Sequence, residues 1–494
     1  MRYFLRRINL LLVLLLMPMF SIAEPIQHAF LVQNSGWMEP FYTDSSSQLK
    51  PLVNAVAATV VRPGDLLTVE AFNQQTPGNP SPKILYSGTD SRQINAALAA
   101  LPLAYKASGA LADTDFREAV VATIKGPFQT HSGILWIFTN NRNSPGNDPD
   151  TAKRNREFYN LLHIDPSITR SLAFPLKMPV KGAHYRATGL MVYALAYGEA
   201  AAIHLQALLA DGTLGRVFTI APAQLKPLDH DAVRIVSPVA SGSDNVKVSL
   251  AEDKRMRIFD IGSSNKTTQI KLKAGLENLF FPYQIDSAKI VGTLQYDKKM
   301  IPIMVSPPSI TKLRPGTASE VALEFSIPQE QTPSPWSRAA LLAMGKTIVV
   351  PATINITLNH QQLHISDDFR QTLSTLFPGD PLSDVFVPPA TIQASSTQIP
   401  IVLRVQYPLL PVVLTISAIL LLIAGLIALA WLAGHTTRYR VKVDGREIFI
   451  EIKVFSAKDV FDAQGNVAGR IKRGLGKPLI INTVAGHSLS MIDR

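Results

Sequence analysis

Two clusters of polar residues in this 494-residue chain have the types and spacing to do chemistry. The first is Gln33-Asn34-Ser35-Gly36, which follows the apolar run Ala29-Phe30-Leu31-Val32 and precedes Trp37 and Glu39. An apolar run that ends in small polar residues reads as a buried strand opening into a loop. In open α/β sheets ligands gather at the carboxyl ends of strands. The second cluster is His360 and His364 with Asp367 and Asp368, residue types that bind zinc. Their context is strand-like or a turn and supplies no evident third ligand, so surface histidines are the expectation. The chain has no cysteine, which excludes disulfides and thiolate metal sites. Gly469 to Lys477 lacks the glycine spacing of a phosphate loop, and Pro478 follows Lys477. No stretch proposes a nucleophile, a general base or a cofactor cradle, so a non-enzymatic binding protein is expected.

The elements that must position the first cluster alternate between strand and helix up to residue 228. Leu49, Leu52, Val53, Val56 and Val60 recur at helical spacing, with Pro51 tolerable in a first turn. Leu66–Phe72 reads as a strand, Ile84-Leu85-Tyr86 as a short one, and Ile94, Leu98 and Leu101 as a helical stripe. Asp113–Lys125 reads as a helix. Gly133–Thr139, GILWIFT, is a strand buried on both faces. Asp150–His163 is an amphipathic helix, Gly189–Gly198 a buried strand, a helix then runs to Ala210, and Arg216–Ile220 is a last strand. Strands alternating with helices predict an α/β doubly wound parallel sheet. Asp165–Thr188 is expected to be an inserted loop.

This order and three short motifs resemble the von Willebrand factor A domain, also called the integrin I-type domain, over about 200 residues. The family's first motif is Asp-x-Ser-x-Ser after an apolar strand; here the three positions are Gln33, Ser35 and Trp37. Its second is a Thr that opens a helix, matched by Thr114-Asp115-Phe116-Arg117-Glu118-Ala119-Val120. Its third is an acidic residue after a buried strand, matched by Ile137-Phe138-Thr139-Asn140 with Asn140 in the acidic place. Val192–Gly198 resembles the late strand. The resemblance implies a site that holds Mg²⁺ or a similar hard cation, completed by an acidic residue of a protein partner. Hard cations require an oxygen-rich, anionic shell. Gln33 and Asn140 remove two carboxylates, and Trp37 removes a hydroxyl. The expectation is therefore a degenerate site without cofactor, in which Gln33 and Asn140 hydrogen-bond one another and Ser35 or Thr114. The binding residues are then Gln33, Asn34, Ser35, Trp37, Thr114 and Asn140, with Trp37 an exposed aromatic anchor. A metal would need substitute ligands, Ser35 and Thr114 with Asp115, Glu39 or Asp113.

The rest of the chain sets the context. Residues 1–23 carry Arg2, Arg6 and Arg7, an apolar run Leu10–Phe20 and then Ser21-Ile22-Ala23, the pattern of a cleaved secretory signal. Leu409–Ala433 runs about 25 residues without a charge, enough to cross a bilayer. Arg438, Arg440, Lys442 and Arg446 follow, as cytoplasmic flanks do. The expected layout is a von Willebrand factor A-like domain at 24–228, a β-sandwich-like domain at 229–307, a second β-rich domain or part of the same at 308–365, and a juxtamembrane helix and linker at 366–407. A transmembrane helix at 408–434 and a small β-rich cytoplasmic domain at 435–494 complete it. Asn265-Lys266-Thr267 and Asn355-Ile356-Thr357 fit glycosylation acceptors. The tail from Arg438 holds eleven Lys/Arg against six Asp/Glu, a net of +5, and Arg470-Ile471-Lys472-Arg473 with Lys477 could touch anionic headgroups. The overall charge of +11 comes partly from the ends and is not a nucleic-acid footprint.

The chain thus reads as a single-pass protein of a bacterial inner membrane. It is expected to present a metal-independent interaction module to a periplasmic protein partner, alone or within a membrane complex. A metal-dependent adhesin or receptor is the alternative. An envelope-assembly factor or enzyme with active groups in Asp165–Thr188 or the β-domains is the third reading.

Overall fold

The structure is a computed structural model that describes residues 25–142, 149–240, 246–250, 257–262, 268–327, 334–378 and 385–492. The expected signal at 1–23 and the acceptor Asn265-Lys266-Thr267 lie outside the described residues. The chain divides into two compact units. One comprises Met1–Asp260, Gln269–Ile327 and Val350–Leu403; the other comprises Ile261–Thr268, Pro328–Val349 and Arg404–Arg494.

The first unit begins with a seven-stranded sheet. Its strands are β1 (Gln27–Gln33), β2 (Leu66–Phe72), β3 (Lys83–Gly88), β4 (Gly133–Thr139), β5 (Ile168–Lys181), β6 (Arg186–Tyr197) and β7 (Ala223–Lys226). They lie in the order β3-β2-β1-β4-β6-β5-β7. The helices α1 (Glu39–Thr43), α2 (Leu49–Val60), α3 (Ile94–Ala99), α4 (Phe116–Lys125), α5 (Pro149–His163) and α6 (Glu199–Ala210) connect them. Only β2, β1 and β4 are parallel; β3, β6, β5 and β7 run antiparallel to their neighbours. The sheet is therefore mixed, where the sequence predicted a parallel one. The reason is local. Residues 182–185 join β5 to β6 in four residues, too few for a crossover and enough for a hairpin. The expected loop Asp165–Thr188 is mostly strand β5. The expected strand Arg216–Ile220 is instead a 3₁₀ turn, Leu214–Arg216, and the edge strand β7 comes later.

Helices cover both faces. On one, α2, α3 and α6 bury Val53, Val56, Leu98 and Leu205 against Phe30, Val32, Trp136 and Phe138. On the other, Phe116 of α4 stacks on Phe158 of α5 at 4.6 Å, and this pair touches Phe72 and Tyr193. All seven residues of β4 are buried, as its apolar run required. Each large apolar side chain removed from water there stabilises the fold by about 1.5–3 kcal/mol.

Strands β8 (Val233–Ala240), β9 (Val246–Leu250), β10 (Arg257–Gly262), β11 (Thr268–Asn278), β12 (Tyr283–Tyr296), β13 (Lys299–Ser306), β14 (Ser309–Leu313), β15 (Ala318–Ile327), β16 (Thr347–Ile365) and β17 (Ala394–Gln406) follow. They form one ten-stranded sheet in the order β8-β11-β15-β13-β12-β16-β17-β10-β9, with β14 paired to β12. β12 pairs with β13 on one side of Pro307-Pro308 and with β14 on the other. Alternate residues of β11 and β16 are buried, the pattern of a sheet with one covered face. A short helix α7 (Arg338–Ala343) falls in the second unit. Helix α8 (Asp367–Leu376) follows Ser366 as expected and buries Phe369, Leu373 and Leu376.

In the second unit, helix α9 (Leu410–Gly434) contains the one segment among the described residues, Leu410–Leu432, long and apolar enough to cross a membrane. Strands β18 (Thr436–Val443), β19 (Arg446–Lys453), β20 (Ala457–Phe461), β21 (Val467–Lys472), β22 (Leu479–Thr483) and β23 (Leu489–Met491) form two three-stranded sheets. Their shared core is Val441, Val443, Ile450, Ile452, Val460, Ala468 and Ile471.

Candidate functional site

β1 and β4 lie side by side and end in polar residues, Gln33 and Thr139. Gln33, Ser35, Thr114 and Thr139 are all fully buried. Gln33 Nε2 donates to Ser35 Oγ at 2.7 Å, to Thr114 Oγ1 at 2.8 Å and, more weakly, to Arg142 O at 3.3 Å. The Thr114 hydroxyl donates to Ser35 Oγ at 2.7 Å. Gln33 Oε1 accepts from the Thr139 hydroxyl, whose oxygen accepts from Asn141 N at 2.7 Å. The Tyr42 hydroxyl donates to Gln33 O at 2.8 Å, and burial pushes that phenol above its ordinary range. A neutral amide thus bonds three hydroxyls, donating to Ser35 and Thr114 and accepting from Thr139. A buried polar group left unpaired would cost about 1–3 kcal/mol, so this closed arrangement removes a large penalty.

The other predicted residues fall around this network. Asn34 Oδ1 accepts from Asn73 Nδ2 at 3.0 Å and its Nδ2 donates to Pro102 O at 3.1 Å, tying β1 to two loops. Asn140 does not bond Gln33. Its Nδ2 donates to Trp37 O at 2.7 Å, and its Oδ1 accepts from Arg142 N at 3.2 Å. Asn141 takes a left-handed φ of +66°, which asparagine tolerates, and its Oδ1 accepts from the Tyr193 hydroxyl at 2.6 Å. Successive residues of a strand face opposite ways, so with Thr139 turned toward Gln33, Asn140 faces away from it. The expectation that the two amides bond each other is corrected accordingly.

Trp37 is half-buried, not an exposed anchor. Its ring packs on Tyr185 at 4.5 Å, and the Arg142 guanidinium lies over it at 4.7 Å. A cavity of 120 Å³ beside it is lined by Trp37, Asn140, Arg142, Tyr185, Leu376 and Phe377. The chain's own segment following α8 closes this rim. Arg142 Nη2 donates to Pro378 O at 3.2 Å, and the Thr188 hydroxyl donates to Leu376 O at 2.6 Å.

The carboxylates named as substitute metal ligands are all committed elsewhere. Glu39 is buried and accepts from the backbone amides of Ala183, His184 and Tyr185, so it holds the β5–β6 turn. A Cβ at Gly182 would run into that carboxylate, which explains the glycine. Asp115 caps α4 by accepting from Glu118 N at 2.9 Å. Asp113 pairs with Lys106 at 2.6 Å. Ser35 and Thr114 alone offer no negative charge, so the residues present do not fit Mg²⁺.

A second polar cluster lies at the opposite end of β1. Among the described residues, His28, Asp65 and His204 are the one group whose ligand atoms converge, all within 4.8 Å of one another. Trp136 Nε1, which can only donate, lies 3.2 Å from His28 Nδ1. Neutral His28 therefore carries its hydrogen on Nε2, the nitrogen 3.6 Å from Asp65 Oδ2. A nitrogen that bears hydrogen cannot ligate, so the cluster is a poor metal site as it stands. Burial lowers the His28 pKa, outweighing the attraction of Asp65.

The predicted pair His360 and His364 lines a cleft of 550 Å³. His364 Nε2 lies 2.6 Å from Arg370 Nη2, an obligate donor, so that ring nitrogen is already engaged. Both histidines are exposed, as the sequence reading expected.

Sequence reasoning missed Thr139, Tyr42 and the Leu376–Pro378 strap. Thr139 was legible as the last residue of the GILWIFT strand. No local signal links Arg142 to Pro378, which lie 236 residues apart. No protein-family model matches the chain, and no curated protein matches it.

Proposed function

We propose that this chain is a membrane-anchored protein-interaction module. Its N-terminal α/β domain is a von Willebrand factor A-like domain with a degenerate, ion-independent site. The observation that carries the reading is the Gln33 side chain, which satisfies Ser35, Thr114 and Thr139 with no cation. The commitment of Glu39, Asp113 and Asp115 to other partners supports it.

On this reading the network fixes the loops at the carboxyl ends of β1 and β4. Those loops, with Trp37, Arg142 and Tyr185, form a rigid rim for a protein partner. Trp37 acts by supporting Arg142 and Tyr185 from below. Leu410–Leu432 anchors the chain in a bacterial inner membrane, with the α/β domain in the periplasm and the basic C-terminal domain in the cytoplasm.

The test captures partners from envelope extracts with the detergent-solubilised full chain, once in Mg²⁺ and once in EDTA. The same partner is expected in both, and Trp37→Ala is expected to weaken its capture. Capture that requires Mg²⁺ would overturn the ion-independent reading. Capture unaffected by Trp37→Ala would remove this rim from the interface.

A further inference from the structure

The domain after α9 carries a basic cavity that the reading above does not use. It has a volume of 430 Å³, and its walls include Arg438, Arg440, Phe449, Lys477, Pro478 and Ile492. Arg438 and Arg440 are alternate residues of β18 and so share one face of its sheet. Phe449 sits directly opposite Arg440 on β19 and is 54% exposed. Both guanidinium groups lean on its ring, with Cζ at 4.7 Å for Arg438 and 5.5 Å for Arg440. Glu451 is the cross-strand neighbour of Arg438, and Glu447 that of Lys442. Even so, among the described residues neither Arg438 nor Arg440 forms an ion pair. A guanidinium stacked on an aromatic face keeps its in-plane N–H edge available, and that edge matches phosphate oxygens in pairs. Two such edges face a cavity of small-ligand size.

Chain connectivity keeps Arg438, at one wall of this cavity, near the end of helix α9. Helix α9 ends at Gly434, and His435 alone separates it from the first residue of β18. Arg438 is four residues past Gly434, so it lies within about 13 Å of the helix end even with the chain fully extended. A bilayer's headgroup layer extends about 5–8 Å beyond the hydrocarbon on each side. Trp431 stacks on His435 at 5.7 Å at this same helix end, a residue type that favours the membrane–water boundary.

We propose that the cavity walled by Arg438 and Arg440 binds the headgroup phosphate of an anionic phospholipid at the membrane surface. The proposal rests on the reading of Leu410–Leu432 as a membrane span. A bound lipid would tie the small C-terminal domain to the leaflet it faces and fix its orientation.

The experiment is native mass spectrometry of the full chain in detergent, titrated separately with phosphatidylglycerol, phosphatidylcholine and inorganic phosphate. Wild type is expected to retain phosphatidylglycerol over phosphatidylcholine. Arg438→Gln with Arg440→Gln is expected to weaken phosphatidylglycerol binding about thirtyfold, the effect of two basic groups at a membrane surface. Lys442→Gln with Arg446→Gln removes equal charge from the same two-stranded segment outside the cavity, and should weaken binding clearly less than the cavity pair does. Equal losses in both variants, or none in either, would overturn the proposal. Phosphate that displaces the lipid at equal affinity would identify free phosphate as the ligand and overturn the lipid source. The span is tested independently: release of the full chain from membranes at alkaline pH would overturn that reading, whatever the lipid titration shows.

Discussion

The two ends of β1 carry buried polar clusters that meet the same requirement by different means. At the carboxyl end, one neutral amide bonds three hydroxyls. At the amino end, His28 accepts from Trp136 and turns Nε2–H toward Asp65 at 3.6 Å, too long for a good hydrogen bond. There the Nε2 atoms of His28 and His204 are buried without a hydrogen-bond partner. The comparison separates two kinds of buried polarity. The first is neutral and insensitive to pH. The second is titratable, held neutral by burial, and open to protonation.

The largest expected effect breaks the closed end. Gln33→Leu leaves the Ser35, Thr114 and Thr139 hydroxyls without their partner and should cost about 3–5 kcal/mol, read by chemical unfolding. Gln33→Asp returns the carboxylate of the resembled motif. It should be comparably unstable in EDTA and recover in Mg²⁺, whereas the Leu variant should not. A wild-type protein that also gains stability from Mg²⁺ would contradict the neutral, ion-free network.

A third buried group lies midway along the sheet and sharpens the contrast. Glu70 of β2 is 1% exposed, and burial pushes its pKa up to about 7. Thr123 lies 2.5 Å from its Oε2 and also donates to Ala119 O at 2.9 Å. A hydroxyl has one hydrogen, so a protonated Glu70 can supply the second. The folded pKa is raised, so its stabilisation is fully present below the unfolded value near 4.5 and is lost as pH rises through about 7. Glu70→Gln should therefore match wild type at pH 4 and exceed it at pH 8 by on the order of 3 kcal/mol. Parallel pH profiles of the two proteins would refute the assignment.

The smallest effect belongs to the amino end. His28→Leu removes the acceptor of Trp136 and should cost about 1–2 kcal/mol at pH 7.5. Because the His28 pKa is lowered on folding, wild type loses stability as pH falls below its ordinary value of 6.5, and the variant does not. The difference should shrink or reverse by pH 5. Zn²⁺ should leave the melting temperature of wild type unchanged; a rise would show that the Trp136 contact yields and the cluster ligates.

Much of the α/β domain was legible in its sequence. The uniform apolarity of β4, the helical spacing of α2 and the small polar residues after β1 each report burial through local pattern. That Gln33 and Asn140 are neutral amides was legible from residue type. What those amides do was not. Thr139 takes the place expected for Asn140 beside Gln33, and the alternation of the strand turns Asn140 to Trp37. Strand direction was equally hidden. Periodicity gives burial without polarity, and only the four-residue turn after β5 reveals that β6 runs back beside it.

The sequence by itself determined which segments are buried, where an apolar helix of membrane length lies, and that amides stand at Gln33 and Asn140. These follow from properties each residue carries alone: hydrophobicity, charge and backbone freedom. The tertiary structure alone decided that Glu39 caps a distant hairpin, that Trp136 fixes the His28 tautomer, and that Leu376–Pro378 closes the Trp37 rim. Each depends on groups brought together from distant parts of the chain, and such pairings are set by packing geometry that no local pattern encodes.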